Sequence, residues 1–106
     1  MSDKTIICMA LRNAAIMCAA KAAKITVDTR ITSETSPFWA QAVSEGATHK
    51  INELRREHGV LNAASRKNAG MKPIDEKMMQ KLWDIDVDHE IDKIDGSFCA
   101  GSNAAA

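Results

Sequence analysis

Residues 36–59 read SPFWAQAVSEGATHKINELRREHG, and the stretch has the grammar of a helix at both ends and along its length. Ser36 before Pro37 puts a capping hydroxyl ahead of a proline at the first helical position, where the missing N–H has no bond to lose. Trp39, Val43, Ala47, Ile51, Leu54 and His58 then recur every three or four residues and mark one apolar face. Gly59 stands where a left-handed residue commonly ends a helix, with Arg55, Arg56 and His58 placing positive charge in the last turn.

Upstream, Ser2 or Asp3 can cap a first helix running to about Ala23, with Ile6, Ile7, Met9, Ala10, Ala14, Met17 and Cys18 at helical spacing. Its polar positions, Lys4, Arg12, Asn13 and Lys21, are few. A helix apolar around most of its circumference belongs at the centre of its bundle or partly against another subunit. Residues 24–33, KITVDTRITS, break the pattern: Ile25, Val27, Thr29 and Ile31 alternate as in a strand, yet no second strand is evident to pair with it. The segment reads as an extended connection, a helix of poor propensity or an edge strand in a dimer.

Downstream, a short helix over about Val60 to Asn68 is expected to end at Gly70, and Pro73 to open another with Ile74, Met78 and Leu82 as its stripe, widened by Met79 and Trp83. Val87, Ile91, Ile94 and Phe98 fit a last amphipathic helix that Asp86 could cap and Gly96 could stop. The expectation is therefore an all-α fold: a compact bundle of four to five helices in one domain over 1–106, with 25–32 open between a short extended segment and helix. The core would combine the first helix, the stripe from Trp39 to Leu54, and Met78, Leu82, Trp83, Ile91 and Ile94. The small residues from about 99 to 106 are expected to be a flexible tail.

The bulk composition agrees with this. With 106 residues, 45% hydrophobic and 26% charged, the chain is long enough for one core and too apolar for a disordered segment. The absence of Tyr and the abundance of Ala and Met favour helix over sheet. Cys8, Cys18 and Cys99 form no C-x-x-C pair and are odd in number, which argues against a disulfide framework or zinc ribbon and for a reducing, cytoplasmic setting. Arg12 and Asn13 interrupt the apolar N-terminal run, so neither a cleaved signal nor a membrane span is expected there.

Charge is unevenly placed although the net is zero. Residues 84–95, DIDVDHEIDKID, carry six carboxylates against one lysine, whereas residues 46–73 carry six Lys and Arg against two Glu. Three readings of the acidic segment compete. Asp84, Asp86 and Asp88 at alternate positions, with Asp92 and Asp95 at the ninth and twelfth, resemble an EF-hand or dockerin-type calcium loop over these twelve residues. The likeness breaks at the sixth position, normally Gly, which is His89, and at the twelfth, where Asp95 is shorter than the usual Glu. A second reading is a solvated helical face with acids at the helix N-terminus. A third is an acidic face, formed by Asp86, Asp88, Glu90, Asp92 and Asp95, that engages a basic protein surface such as the nucleic-acid groove of an enzyme.

In the basic half, Arg55, Arg56, Arg66 and Lys67 could contact phosphates, with a helix-turn-helix over 37–70 as the conceivable frame, but no aromatic residue is interleaved among them. No G-x-S-x-G, P-loop or Gly-rich phosphate turn occurs, and His49, His58 and His89 are not spaced as metal ligands, so no catalytic residue, cofactor or metal is assigned. In general character the chain resembles the small phage-encoded inhibitors of host defence, the anti-CRISPR proteins: short, compact, motif-free and charge-polarised. That class shares no motif, so no residue is carried over. The resemblance implies a non-enzymatic, cytoplasmic inhibitor or modulator bound to a host nuclease or surveillance-complex component. A nucleic-acid-binding regulator is the alternative and a calcium module the second alternative.

Overall fold

The computed structural model describes the backbone of residues 3–105 and the side chains of residues 3–96. It contains three helices, α1 (Asp3–Thr35), α2 (Ala40–Asn68) and α3 (Glu76–Ala105), with a 3-10 turn at Pro37–Trp39 and no strand among the described residues. The all-α class stands, but three long helices replace the expected four to five. Phe98, Cys99 and the tail expected at about 99–106 fall at positions whose side chains lie outside the described residues.

Each difference comes from a local break signal outweighed by packing. Residues 24–33 are the last turns of α1, not an extended segment. Val27 is buried and Ile25 packs on the core; burying such a side chain is worth about 1.5–3 kcal/mol, against at most ~0.7 kcal/mol per residue lost to poor helix propensity. The threonine hydroxyls turn back onto the helix, Thr26 Oγ1 donating to the Ala22 carbonyl at 2.8 Å and Thr35 Oγ1 to that of Ile31 at 2.9 Å. Gly59 lies inside α2 and ends nothing, because Leu61, Asn62 and Ser65 beyond it all face inward partners. This also removes the helix-turn-helix over 37–70.

The true end of α2 is a Schellman motif. Gly70 takes φ of 72°, its N–H donates to the Lys67 carbonyl at 3.1 Å, and the Met71 N–H donates to that of Arg66 at 2.9 Å. Arg66 then donates from Nε and Nη2 to the Lys72 carbonyl at 3.1 and 3.0 Å, fastening the loop. The next helix opens at Glu76 and not at Pro73, because Asp75 is the cap: its carboxylate accepts the Met78 N–H at 2.8 Å. No break follows at Asp84–Asp86, since Trp83, Asp86, Val87 and Glu90 share one inward face, and α3 also continues past Gly96.

α1 and α2 form an antiparallel hairpin, the most extensive packing in the molecule, and α3 crosses it, running chiefly along α1. The core is built on small residues: Ala15, Cys18, Ala19, Ala22 and Ala23 of α1 let the helices approach closely, and Leu54 and Trp83 fill the space between. Two expected core residues are outside it. Trp39 is 60% exposed in the 3-10 turn, edge-on to Phe38 with centroids 5.0 Å apart, and Met78 is 48% exposed in the first turn of α3. Leu82, Ile91 and Ile94 are half-buried. α1 packs on both other helices, as a central helix does, but its outer face, with Ile6, Met9 and Met17, is open.

A Cβ built at Gly46 or Gly59 meets nothing within 4 Å. Gly46→Ala and Gly59→Ala should each stabilise the fold by about 0.5–1 kcal/mol in urea denaturation, whereas Gly70→Ala, at positive φ, should destabilise it.

Candidate functional site

The inward face of α3 carries a polar cluster joining all three helices. Arg12 of α1 donates from Nη1 to Asp86 Oδ2 and from Nη2 to Asp86 Oδ1, both at 2.8 Å, a two-pronged pair. The same Nη1 reaches Asn62 Oδ1 of α2 at 2.9 Å. His58 Nε2 lies 2.7 Å from Asp86 Oδ2, and its ring meets Trp83 edge-on at 5.0 Å between centroids.

Because Asn62 Oδ1 accepts from Arg12, its Nδ2 must face His58, where it is 3.2 Å from both ring nitrogens. One tautomer satisfies both neighbours: Nε2–H donates to Asp86 and Nδ1 accepts from Asn62. His58 is 1% exposed and Asn62 2%, and no described buried side-chain polar atom lacks a partner. A His–carboxylate pair suggests acid–base chemistry, yet both ring nitrogens are engaged and no hydroxyl or thiol among the described residues bonds to the ring. The arrangement acts as a clamp between helices.

Burial, the largest single influence on Asp86, pushes its carboxyl up; the hydrogen bonds from Arg12 and His58, with the charge of Arg12, together outweigh it and hold the group below its ordinary value. Burial also pushes the Cys18 thiol up, as does the carboxylate of Glu57 beside it at 3.7 Å.

The expected acidic face is divided by the helix. Asp86 and Glu90 turn inward, both 9% exposed, Glu90 meeting Lys93 Nζ at 3.3 Å. Asp88, Asp92 and Asp95 stay outside, and Asp84, three or four residues apart from its neighbours in the series 84, 88, 92, 95, joins them on one exposed stripe. Asp95 lies 3.5 Å from Arg30 and Asp84 accepts from Gln80 at 3.0 Å; Asp88 and Asp92 have no partner among the described residues. The calcium loop is overturned by the same geometry. Asp84 and Asp88 point outward while Asp86 is held inside, and no group of three or more His, Cys, Asp or Glu among the described residues could hold a metal ion.

The basic set is also divided. Arg55 and Arg56, with Lys77 and Gln80 of α3, line an open cleft of about 490 Å³ between α2 and the first turns of α3. Arg55 donates to Gln80 Oε1 at 3.1 Å, Glu76 stands at the same cleft, and Arg56 and Lys77 have no counter-ion among the described residues. Arg66 is used by the loop, and Lys67 is exposed near the far end of α2. His58, expected as a C-terminal dipole partner, is the centre of the clamp. Arg12 and Asn62 were given no role by spacing, although a lone cation inside an apolar helix signals a partner elsewhere in the chain.

No family model, curated protein or solved structure matches the chain.

Asp86→Ala should cost about 2–4 kcal/mol in urea denaturation by leaving Arg12 and His58 without their acceptor, while Asp88→Ala should stay within about 0.5 kcal/mol. A carboxyl held below its unfolded value stabilises the fold above that value, about 3.9, and loses this as pH falls through the folded one. Wild-type stability should therefore drop below about pH 4, and a slope unchanged in Asp86→Asn would show that other groups govern the acid transition.

Proposed function

We propose that the chain is a small non-enzymatic inhibitor or modulator that binds a basic surface of another protein through the outward stripe of α3, Asp84, Asp88, Asp92 and Asp95. A partner that processes nucleic acid fits best, because a groove built for phosphates offers the Arg and Lys that carboxylates can occupy in their place. The observation that carries this reading is the stripe itself, on which Asp88 and Asp92 are exposed and have no cation among the described residues. Like charges at helical spacing cost a few tenths of a kcal/mol each, and a cationic partner removes that cost. The free thiols of Cys8 and Cys18 fit action in a reducing cytoplasm. A phage-encoded inhibitor of a host nuclease or surveillance complex would have this character.

Capture from bacterial lysate should retain a basic nucleic-acid-processing protein on wild type and lose it on the combined Asp88→Asn, Asp92→Asn and Asp95→Asn variant, with melting temperature unchanged. Identical captures by both would remove the stripe from the interface.

A second reading is favoured by the cleft, where Arg55, Arg56 and Lys77 converge beside the N-terminal end of α3 and none of the three has a counter-ion among the described residues. There the chain would bind nucleic-acid phosphates. Affinity for DNA should then fall steeply with added salt and be abolished by Arg55→Ala with Arg56→Ala, measured by fluorescence anisotropy.

A further inference from the structure

The packing of this chain is unusually open for its size. Its accessible surface is 7502 Å², against roughly 5,800 Å² for a folded monomer of this mass. The radius of gyration is 16.5 Å, against about 13 Å for a compact chain of this length. Half of the buried hydrophobic residues are alanines, while Ile6, Met9 and Met17 on α1 are 52%, 51% and 61% exposed.

The outward face of α1 runs through Ile6, Met9, Ala10, Asn13 and Met17 to Lys24, opposite the buried alanine face. This series is self-complementary when reversed. Centred on Asn13, an antiparallel copy brings Met9 against Met17, Ile6 against the small Ala20, and Asn13 against its own twin, whose amide can both donate and accept. Asp3 then lies near Lys21 and Lys24 of the other copy, all three exposed. A parallel copy would instead set Lys21 on Lys21 and Lys24 on Lys24, a repulsive arrangement.

We infer that a second copy of this chain covers the outer face of α1, forming a two-fold symmetric dimer through antiparallel α1 helices centred on Asn13. The face lies away from α2 and α3, so the dimer leaves the acidic stripe of α3 uncovered and presents it twice.

Sedimentation equilibrium on the whole chain tests this. Wild type should weigh twice its 11.5 kDa chain mass, and Met9→Glu with Met17→Glu should return it to one chain mass with the helical circular-dichroism signal retained. Wild type that stays monomeric up to about 200 µM, a concentration at which even a weak dimer of Kd near 10 µM is populated, overturns the inference, as does a dimer that survives both substitutions. α1 is also long and apolar enough to cross a membrane by length and composition. Monomeric wild type that floats with phosphatidylcholine–phosphatidylglycerol vesicles would assign the face to lipid and overturn the dimer. Orientation is read separately with the native cysteines replaced by alanine. Asn13→Cys should cross-link to itself on oxidation, whereas two copies of Lys24→Cys, about 33 Å apart in the antiparallel arrangement, should not. Cross-linking at Lys24→Cys and not at Asn13→Cys would overturn the proposed axis.

Discussion

The two parallel 2.8 Å hydrogen bonds between Arg12 and Asp86 fix where α3 sits. α3 contributes Trp83 and Val87 to the core but touches α2 only slightly, so apolar area alone defines its position weakly. A smooth alanine face accepts a neighbouring helix at several heights; a guanidinium, an imidazole and an amide accept a carboxylate at one. Taking these groups out of water is costly, and the cost is offset only when all of them meet at once. The cluster therefore adds less to stability than to uniqueness, making one register of α3 on the hairpin far better than those a turn away. Arg12, still one-third exposed, keeps part of its hydration and so lowers the cost of the arrangement.

Closing the hairpin with alanine has its own effect on the surface. Small residues at Ala15, Ala19, Ala22 and Ala23 bring the backbones of α1 and α2 together, but they leave little volume in which larger apolar side chains could be hidden. Isoleucine and methionine are consequently displaced to the outside of α1, and the aromatic pair Phe38–Trp39 to the hairpin tip. The charges are sorted by the same geometry. Carboxylates on the inner side of α3 are consumed by the fold, and those on the outer side stay in solvent.

Helix content was legible in the residues because apolar positions recur with helical spacing from Ile6 to Ile94, and the end of α2 at Gly70 could be read from its glycine. Helix number was not. Gly59 and Asp84–Asp86 are local signals worth about 1 kcal/mol or less each, and the β-branched run at 24–33 costs at most ~0.7 kcal/mol per residue; burial of Leu61, Trp83 and Val27 works against them. Pro73 misled for a different reason: Asp75, two residues later, offers the capping carboxylate, and a cap outranks a favourable proline. Within the candidate site, the density of acid at 84–95 was plain, but its division was hidden by treating the segment as a block. Asp86 and Glu90 fall three or four residues from Trp83 and Val87 and so share their inward face, a relation that helical spacing contains. The identity of Asp86's partner lay in Arg12, a charge whose significance appears only when α1 and α3 are side by side.

Arg12 and Asp86 are separated by 74 positions in the chain, and this separation imposes an order on the protein's biogenesis. α1 and α2 can zip together before α3 docks, since their contacts close through one tight turn. Until the last helix arrives, the guanidinium, the imidazole of His58 and the amide of Asn62 stay wetted along an open seam. A hydrophilic middle in that seam disfavours the docking of a wrong apolar helix in the alanine-rich groove. The carboxylate of Asp86 is the latch that closes α3 over the seam.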